Sequence, residues 1–452
     1  MSGLALEAII TPYLHAINTV MWGPPLLLTL SMIGMYLMIG LRFFPLRRLG
    51  YAISTLFKPQ RSKKGDISAF NALMTALSST VGTGNIAGVA TAIVLGGPGA
   101  VFYMWVMAII GMASTYTEAI CAVHYRVRDT RKHYVGGPMF YIKEGFGTRF
   151  QLVGRFLSGA YALFLSIAAL GVGNAVQINS LAAIMDSDFG VAPLLTGGVC
   201  ALLIASVLLG GIKRIGDVAG KLVPLMIVLY IGSGLLILLW HIQSIPGVLA
   251  MIVREAFEPA QAGQGILGAG FAMAVRYGVA RGTFSNEAGW GTTSIAHAAA
   301  QTNVPVRQGC IAMLGTFVDT MIVCTMTALI ILMTAGYESG ENGAVLTGLS
   351  FGLAMPGGMH VVALTLIIFS YTTMLGWSYY GEKGLQYLLG EWSVYPYRIL
   401  WVAVIPIGAV VELEFVWTLA ETLSAFMIVP NVIGLALLSW RVFKWTALAE
   451  HA

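Results

Sequence analysis

Apolar runs long enough to cross a lipid bilayer recur along the entire chain, separated by short polar stretches. A hydrocarbon core of about 30 Å requires roughly 20 residues of α-helix rising about 1.5 Å each. That length divides the sequence into eleven predicted spans, at 21 to 42, 67 to 96, 98 to 126, 152 to 184, 191 to 211, 216 to 240, 263 to 300, 308 to 335, 359 to 388, 395 to 411 and 414 to 440. Residues 43–66 and 241–260 mix apolar residues with charges and are too polar to span, so they are expected to lie as amphipathic pieces at the membrane interface. Spans two and seven exceed the length a crossing needs, and each holds a cluster of helix-weakening residues near its middle, Ser78 to Asn85 in one and Gly282 to Gly289 in the other. Backbone groups freed by a break are costly in hydrocarbon and persist only where a ligand, water or neighbouring protein replaces the lost hydrogen bonds. Both clusters are therefore predicted breaks and the first candidates for a binding site.

The two breaks open stretches of similar length, 67–240 and 263–440, each with one interrupted span followed by four others. Because five is odd, two such units in series lie in opposite orientations, which is the inverted repeat of many secondary transporters. The predicted organisation is an N-terminal span with its interfacial segment (1–66), a first five-helix repeat (67–240), an outer connection (241–262), an inverted second repeat (263–440) and a cytoplasmic tail (441–452). Close helix packing through Gly84 and Gly88, or Gly278 and Gly282, in GxxxG spacing is a plainer explanation of the glycines. It does not explain why the polar clusters fall at matching positions in both halves. Half-helix N-termini suit an anionic group and half-helix C-termini a cationic one, so a zwitterionic amino acid with a small cation satisfies both polarities.

Composition supports the all-α integral membrane class. Of 452 residues 57% are apolar and 10% charged, against about a quarter charged in soluble domains. The net charge of +5 by itself would suit nucleic acid, but its placement is topological. If the eleven spans alternate, 22 of the 25 Lys and Arg residues fall in connections on one side, leaving Arg254, Arg276 and Arg281. Cytoplasmic loops are the basic ones, which puts the N-terminus outside and the C-terminus inside. The other connections carry Asp186, Asp188, Glu338, Glu341, Glu412 and Glu414. Cys121, Cys200, Cys310 and Cys324 lie in apolar stretches without metal or redox spacing, and no cleavable leader pattern is recognised.

Four strings, SSTVGTGNIAGVATAI at 78–93, GGPGAVFYMWVMAIIG at 96–111, GGPMFYI at 136–142 and FSNEAGWGTTSIAHAAAQT at 284–302, resemble the prokaryotic alanine-or-glycine:cation symporter family. That family belongs to the larger group with the leucine-transporter-like fold. Tyr103 departs from the Trp expected there, outside the breaks. The resemblance implies a symporter that imports alanine or glycine with Na+ across the prokaryotic cytoplasmic membrane. It implies that the N–H groups of Thr83 and Gly84 receive the substrate carboxylate and that carbonyls at Thr80, Phe284, Ser285 and Glu287 face the ammonium. Asn85 belongs to the same site, the substrate side chain points toward Gln177 and Trp377, and Phe284 closes the pocket, leaving room for little beyond hydrogen or methyl. The implied cation site uses carbonyls of Ser78, Val81 and Phe369 with the hydroxyls of Thr372 and Thr373. These uncharged hard oxygens suit Na+ better than a divalent ion. No titratable group falls in the cluster, which makes H+ harder to accommodate, and H+ coupling stands as the alternative.

Ionisable side chains at bilayer depth are functional candidates, since each costs at least about 2.5 kcal/mol on insertion scales. They are Glu118, Arg276, Arg281, Glu287, Asp319 and Glu421. Glu287 sits in a break and is expected to serve the site by holding the unwound chain. Asp319 has Thr316 and Thr320 close by and is read equally as a hydrogen-bonded structural acid or a gating or proton group. Arg276 and Arg281 are candidates to pair with Glu287 or to line the outer vestibule, and Glu118 and Glu421 to form a structural pair or face water. Enzymatic readings fail on context. Gly82 to Ala87 fits GxGxxA without a preceding strand or following acid, and Gly348 to Gly352 fits GxSxG without a triad in workable order. No Walker A string occurs, which excludes ATP-driven transport by this chain. A channel lined by the polar clusters is the remaining rival, disfavoured by paired breaks in inverted repeats.

Overall fold

A computed structural model of the chain describes residues 3–58, 64–148, 150–258, 267–334, 336–411 and 413–450. Expectations that rest on Arg61, Lys63, Arg149 and Glu412, on residues 259–266 of the outer connection and on residues 451–452 of the tail lie outside the described residues. Apolar segments in lipid satisfy their backbone internally as helices. Among the described residues seven helices are long and apolar enough to cross a bilayer, and the pair Ala69–Thr80 and Gly84–Gly96, bent by 54°, qualifies when taken together.

The helices that frame the centre are α1 (Pro24–Gly40), α2 (Ala69–Thr80), α3 (Val89–Gly96), α4 (Ala100–His124), α5 (Gln151–Leu170), α6 (Val176–Phe189), α7 (Leu267–Asn286), α8 (Thr292–Ala298), α9 (Pro305–Thr316), α10 (Gly358–Leu389) and α11 (Leu413–Glu450). The remaining predicted spans fall on the helices Pro193–Leu208, Gly211–Trp240 and Val394–Gly408. Several boundaries differ from expectation. The first span begins earlier, because a helix over Gly3–Met21 runs up to Pro24 and Pro25, which open α1; polar His15, Asn18 and Thr19 lower the apolar average without stopping the helix. The last helix continues ten residues beyond 440, where nothing in the sequence breaks it. A 12-residue apolar helix, Gly343–Ala354, lies in the connection between the eighth and ninth predicted spans. The interfacial stretches carry the short helices Phe44–Arg47, Leu49–Leu56 and Ile245–Phe257.

The connection after α4 holds a small antiparallel hairpin, β1 (Val127–Arg128) and β2 (Tyr134–Val135), with Val127 opposite Val135, then the helix Pro138–Gly145. Arg126, at the foot of α4, donates to the carbonyls of Ala298 and Ala300 at 2.8 and 2.7 Å and to those of Lys64 and Thr302. A parallel bridge between Ile67 and Ala300 joins the same segments. The start of α2 and the end of α8 are thus tied together at one end, although 233 residues separate the bridge partners (300 minus 67). Residues Ala72 to Thr80 of α2 are all buried, as are all seven residues of α8, so both interrupted helices run through the middle of the bundle. The close approach of α10 to α2 requires glycine at 376, where a Cβ would stand 2.8 Å from Ser78 Oγ.

Candidate functional site at the paired helix breaks

The first interruption falls where the polar cluster placed it. α2 ends at Thr80, Val81 turns extended with ψ of 101°, and the chain re-enters a wide π-helical turn over Gly84–Gly88 before α3. Thr83 and Gly84 therefore stand at the start of a half-helix, where backbone N–H groups have no intrahelical acceptor. Asn85 organises the break. Its Oδ1 accepts the N–H of Gly82 at 2.9 Å, and its Nδ2 donates to Ser285 Oγ at 2.9 Å and to Asp319 Oδ1 at 2.7 Å.

The second interruption lies later than expected. Gly282 to Ser285 remain helical, and the chain unwinds over 287–291 with positive φ at Glu287 (53°), Gly289 (87°) and Gly291 (81°). Gly282 is a packing glycine: a Cβ there would meet the Cα of Met104 at 3.1 Å, and one at Gly278 would meet the carbonyl of Ala100 at 2.3 Å. Glu287, a non-glycine residue in the left-handed region, is over-determined by its side chain, as such strained residues must be. Its Oε2 accepts from Thr292 Oγ1 at 2.5 Å and its Oε1 from Trp377 Nε1 at 3.1 Å. Its backbone carbonyl accepts the N–H of Trp290 at 3.0 Å. The Asn286 carboxamide accepts the N–H of Ala288 at 3.0 Å and donates to Thr320 at 3.1 Å.

Asp319 is the residue whose position the sequence could not supply. It lies in a π-helical segment, Phe317–Cys324, that follows α9. Its Oδ1 accepts from Asn85, and its Oδ2 accepts from Ser285 Oγ at 2.7 Å and Thr320 Oγ1 at 2.8 Å. One carboxylate thus joins the two broken helices, fully buried and with no ion pair among the described residues. Cys324 is the other unanticipated neighbour, its Sγ 3.2 Å from Ser285 Oγ and 3.3 Å from Asn85 Nδ2.

The first break lies close against the end of α7, just before the second: a Cβ on Gly84 would lie 3.3 Å from the Cα of Ser285. Around them stand Gln177, which donates to Thr83 Oγ1 at 3.3 Å and to the Val172 carbonyl at 3.1 Å, and Trp377, fully buried against Gly173. Phe284 meets Trp290 edge-on at 5.5 Å and Trp417 at 5.5 Å. The Thr80 hydroxyl turns back to the Ala76 carbonyl at 3.4 Å.

Of the expected cation ligands, Ser78 of α2 packs against Gly376 of α10, and Thr373 of α10 faces Gly82, the neighbour of Val81. Among the described residues the buried Thr373 Oγ1 has no hydrogen-bond partner, and a Cβ on Gly82 would come within 2.8 Å of it. Thr372 is otherwise engaged: its hydroxyl donates to the carbonyls of Ile368 and Phe369, each at 3.0 Å, and lies 3.6 Å from Met226 Sδ. The pairing of Arg276 or Arg281 with Glu287 does not occur. Arg281 lies six residues before Glu287, on another face of α7, and pairs with Glu421 of α11 at 3.1 Å, its guanidinium standing 5.9 Å from the rings of Phe284 and Trp417. Arg276 and Arg281 line a cavity of about 90 Å³ beside Phe284, together with Trp22 and Glu421. Glu118 and Glu421 do not pair with each other; Glu118 bonds Gly291 and Asn431 instead.

The arrangement brings half-helix ends of both polarities together with the buried acids Asp319 and Glu287 and the hydroxyls of Ser285 and Thr320. Its architecture has known counterparts. The chain superposes on the crystal structure of MhsT in complex with L-phenylalanine with a TM-score of 0.57 over 83% of this chain and 90% of that one, at 15% identity, so the two share the leucine-transporter-like fold. It is 46% identical to the sodium/alanine symporter AgcS of Methanococcus maripaludis over 96% of this chain and 95% of that protein. It is 43% identical to an uncharacterized transporter of Haemophilus influenzae over 93% and 92%. A model described as the sodium:alanine symporter family matches residues 7–450, and the chain, a multi-pass membrane protein and not an enzyme, belongs to that family.

Proposed function

We propose that this symporter imports alanine or glycine together with Na+ by alternating access, with both bound where the two broken helices meet. The observation that carries the reading is the link Asn85–Ser285–Asp319, which makes the two breaks a single polar centre. The N–H groups of Thr83 and Gly84 hold the carboxylate at one half-helix start, and the terminal carbonyls of α2 and α7 receive the ammonium. Gln177, Trp377 and Phe284 wall the side-chain end, and the closeness of Gly84 to Ser285 favours a substituent no larger than methyl. Na+ is held at the junction of α2 with α10 by Ser78, Val81 and Phe369 carbonyls and by Thr373, with Thr372 rotating from its own helix to join. The anionic Asp319 lowers the cost of bringing a cation to the same centre.

The topology belongs to the same proposal: eleven spans, one N-terminal helix followed by two inverted five-helix repeats, with the N-terminus outside a prokaryotic cytoplasmic membrane and the C-terminus inside. Moving one repeat against the other exposes the centre to alternate sides while the breaks act as the moving parts. H+ as the coupling ion is the second reading, favoured by the buried acids Asp319 and Glu287 beside the site. Equilibrium binding of labelled alanine to the purified protein separates the two. Binding that rises with Na+ at fixed pH supports the oxygen-ligand site, whereas binding indifferent to Na+ but sensitive to pH moves coupling to the acids.

A further inference from the structure

The second break is gripped from two sides, by acids that are solvated differently. Glu287 and Asp319 have both carboxylate oxygens supplied with donors. Glu118, on α4 and fully buried, does not. Its Oε1 accepts the N–H of Gly291 at 3.1 Å and the side-chain amide of Asn431 at 2.8 Å. Asn431, on α11, also donates to the carbonyl of Gly289 at 2.8 Å and accepts from the Tyr141 hydroxyl. Oε2 is buried and makes no hydrogen bond of normal geometry among the described residues, although the Gly289 N–H also faces the carboxyl, and no Lys, Arg or His there forms an ion pair with it.

The titratable groups facing Glu118 are Cys121 on its own helix, the Tyr141 hydroxyl, Tyr161, which donates to the Trp290 carbonyl at 3.0 Å, and Glu287 across the break. None of them brings positive charge. Arg441 on α11 is engaged with Tyr125, and His297 on α8 with Gln308. An ionised carboxylate with one bare oxygen and no counter-charge is very costly at bilayer depth. Adding a proton to Oε2 removes the charge, forms a single O–H bond and leaves Oε1 free to accept from Gly291 and Asn431.

We infer that Glu118 is a proton-binding site on the back of the second break, occupied while Gly289 to Gly291 are packed between α4 and α11. Releasing the proton requires water or a cation to reach Oε2, so α8 must part from α4 and α11. Proton occupancy is thereby linked to the position of the break that shapes the substrate site, a link that rests on the breaks being the moving elements. Proton binding itself does not.

The test is infrared difference spectroscopy of the purified full-length protein at neutral pH, in H2O and D2O. Wild type should show the C=O stretch of a protonated carboxyl. Glu118→Gln, isosteric with the acid form, should lose that band, and Glu118→Asp should shift it, while Glu287→Gln and Asp319→Asn retain it. A band untouched by both Glu118 variants, or no such band in wild type, overturns the assignment. In proteoliposomes Glu118→Gln should keep Na+-driven alanine uptake but lose its dependence on pH, and an unchanged pH profile would remove the link to transport. If wild type takes up no alanine at all, the symport reading fails, while the spectra still decide whether Glu118 holds a proton.

Discussion

Replacing Asp319 with Asn keeps the shape of the side chain and removes the charge that joins the two breaks. The carboxylate accepts three hydrogen bonds, from Asn85 at 2.7 Å, Ser285 at 2.7 Å and Thr320 at 2.8 Å. An amide has one acceptor oxygen, so it keeps Asn85 only by turning its NH2 toward the Ser285 and Thr320 hydroxyls, which then have to accept. Hydrogen bonds to a charged group contribute about 1.5–3 kcal/mol each and neutral ones about 0.5–1.5. The loss is therefore about 1 kcal/mol per bond, or roughly 3 kcal/mol if the three add. If the network holds the breaks in the binding-competent arrangement, apparent affinity falls with the competent fraction, by about 100-fold at about 1.4 kcal/mol per decade. The assay is Na+-driven uptake in proteoliposomes over a range of alanine concentrations, with thermal melting of the variant alongside. Thr320→Val, which removes one of the three donors, should cost about 1 kcal/mol and about fivefold in the same assay. An Asp319→Asn transporter that is folded and has wild-type affinity for alanine and Na+ would refute the reasoning, because the bridge between the breaks would then carry none of the binding free energy.

Other outcomes follow from the same geometry. Thr373→Ala should raise the Na+ concentration needed for half-maximal uptake, with uptake at saturating Na+ little changed. Gly82→Ala places a Cβ 2.8 Å from Thr373 Oγ1. Overpacking of this kind costs about 1–3 kcal/mol, which should raise the Na+ requirement by about tenfold. Both are read from Na+ titrations of uptake. Asn85→Ala and Gly84→Leu should abolish uptake in protein that still runs as a single species on gel filtration, the first by cutting the tie to Ser285 and Asp319 and the second by driving a side chain into Ser285. Normal uptake by both would sink the site assignment.

Much of this architecture is legible in the sequence because lipid imposes a simple rule: apolar length reports a crossing, and polar residues inside it report a break or a site. The first break is of that kind, since Val81 to Gly84 alternates β-branched residues with glycine, all poor helix formers. The sequence pattern places the second break early because glycine has two uses. Gly278 and Gly282 serve close contact with α4, whereas Gly289 and Gly291 serve left-handed turns, and only the positions of Ala100 and Met104 distinguish them. Side-chain pairings were less accessible. Arg281 lies six residues from Glu287, yet it bonds Glu421, 140 residues away in sequence. Asp319 was visible as an acid in an apolar span, but its reach to Asn85 depends on how two helices cross, about which hydropathy carries no information. The short helix Gly343–Ala354 and the β1–β2 hairpin were missed because neither spans the membrane and their patterns are too brief to register.

The central claim is that the chain couples a small amino acid to Na+ at the meeting point of the two breaks. Uptake of labelled alanine and glycine into proteoliposomes of the purified protein tests it most directly, with an inward Na+ gradient, an inward H+ gradient, or neither. Accumulation driven by the Na+ gradient alone, saturable and confined to small amino acids, is the result expected. Accumulation driven by H+ without Na+, or none under any gradient, would contradict the claim.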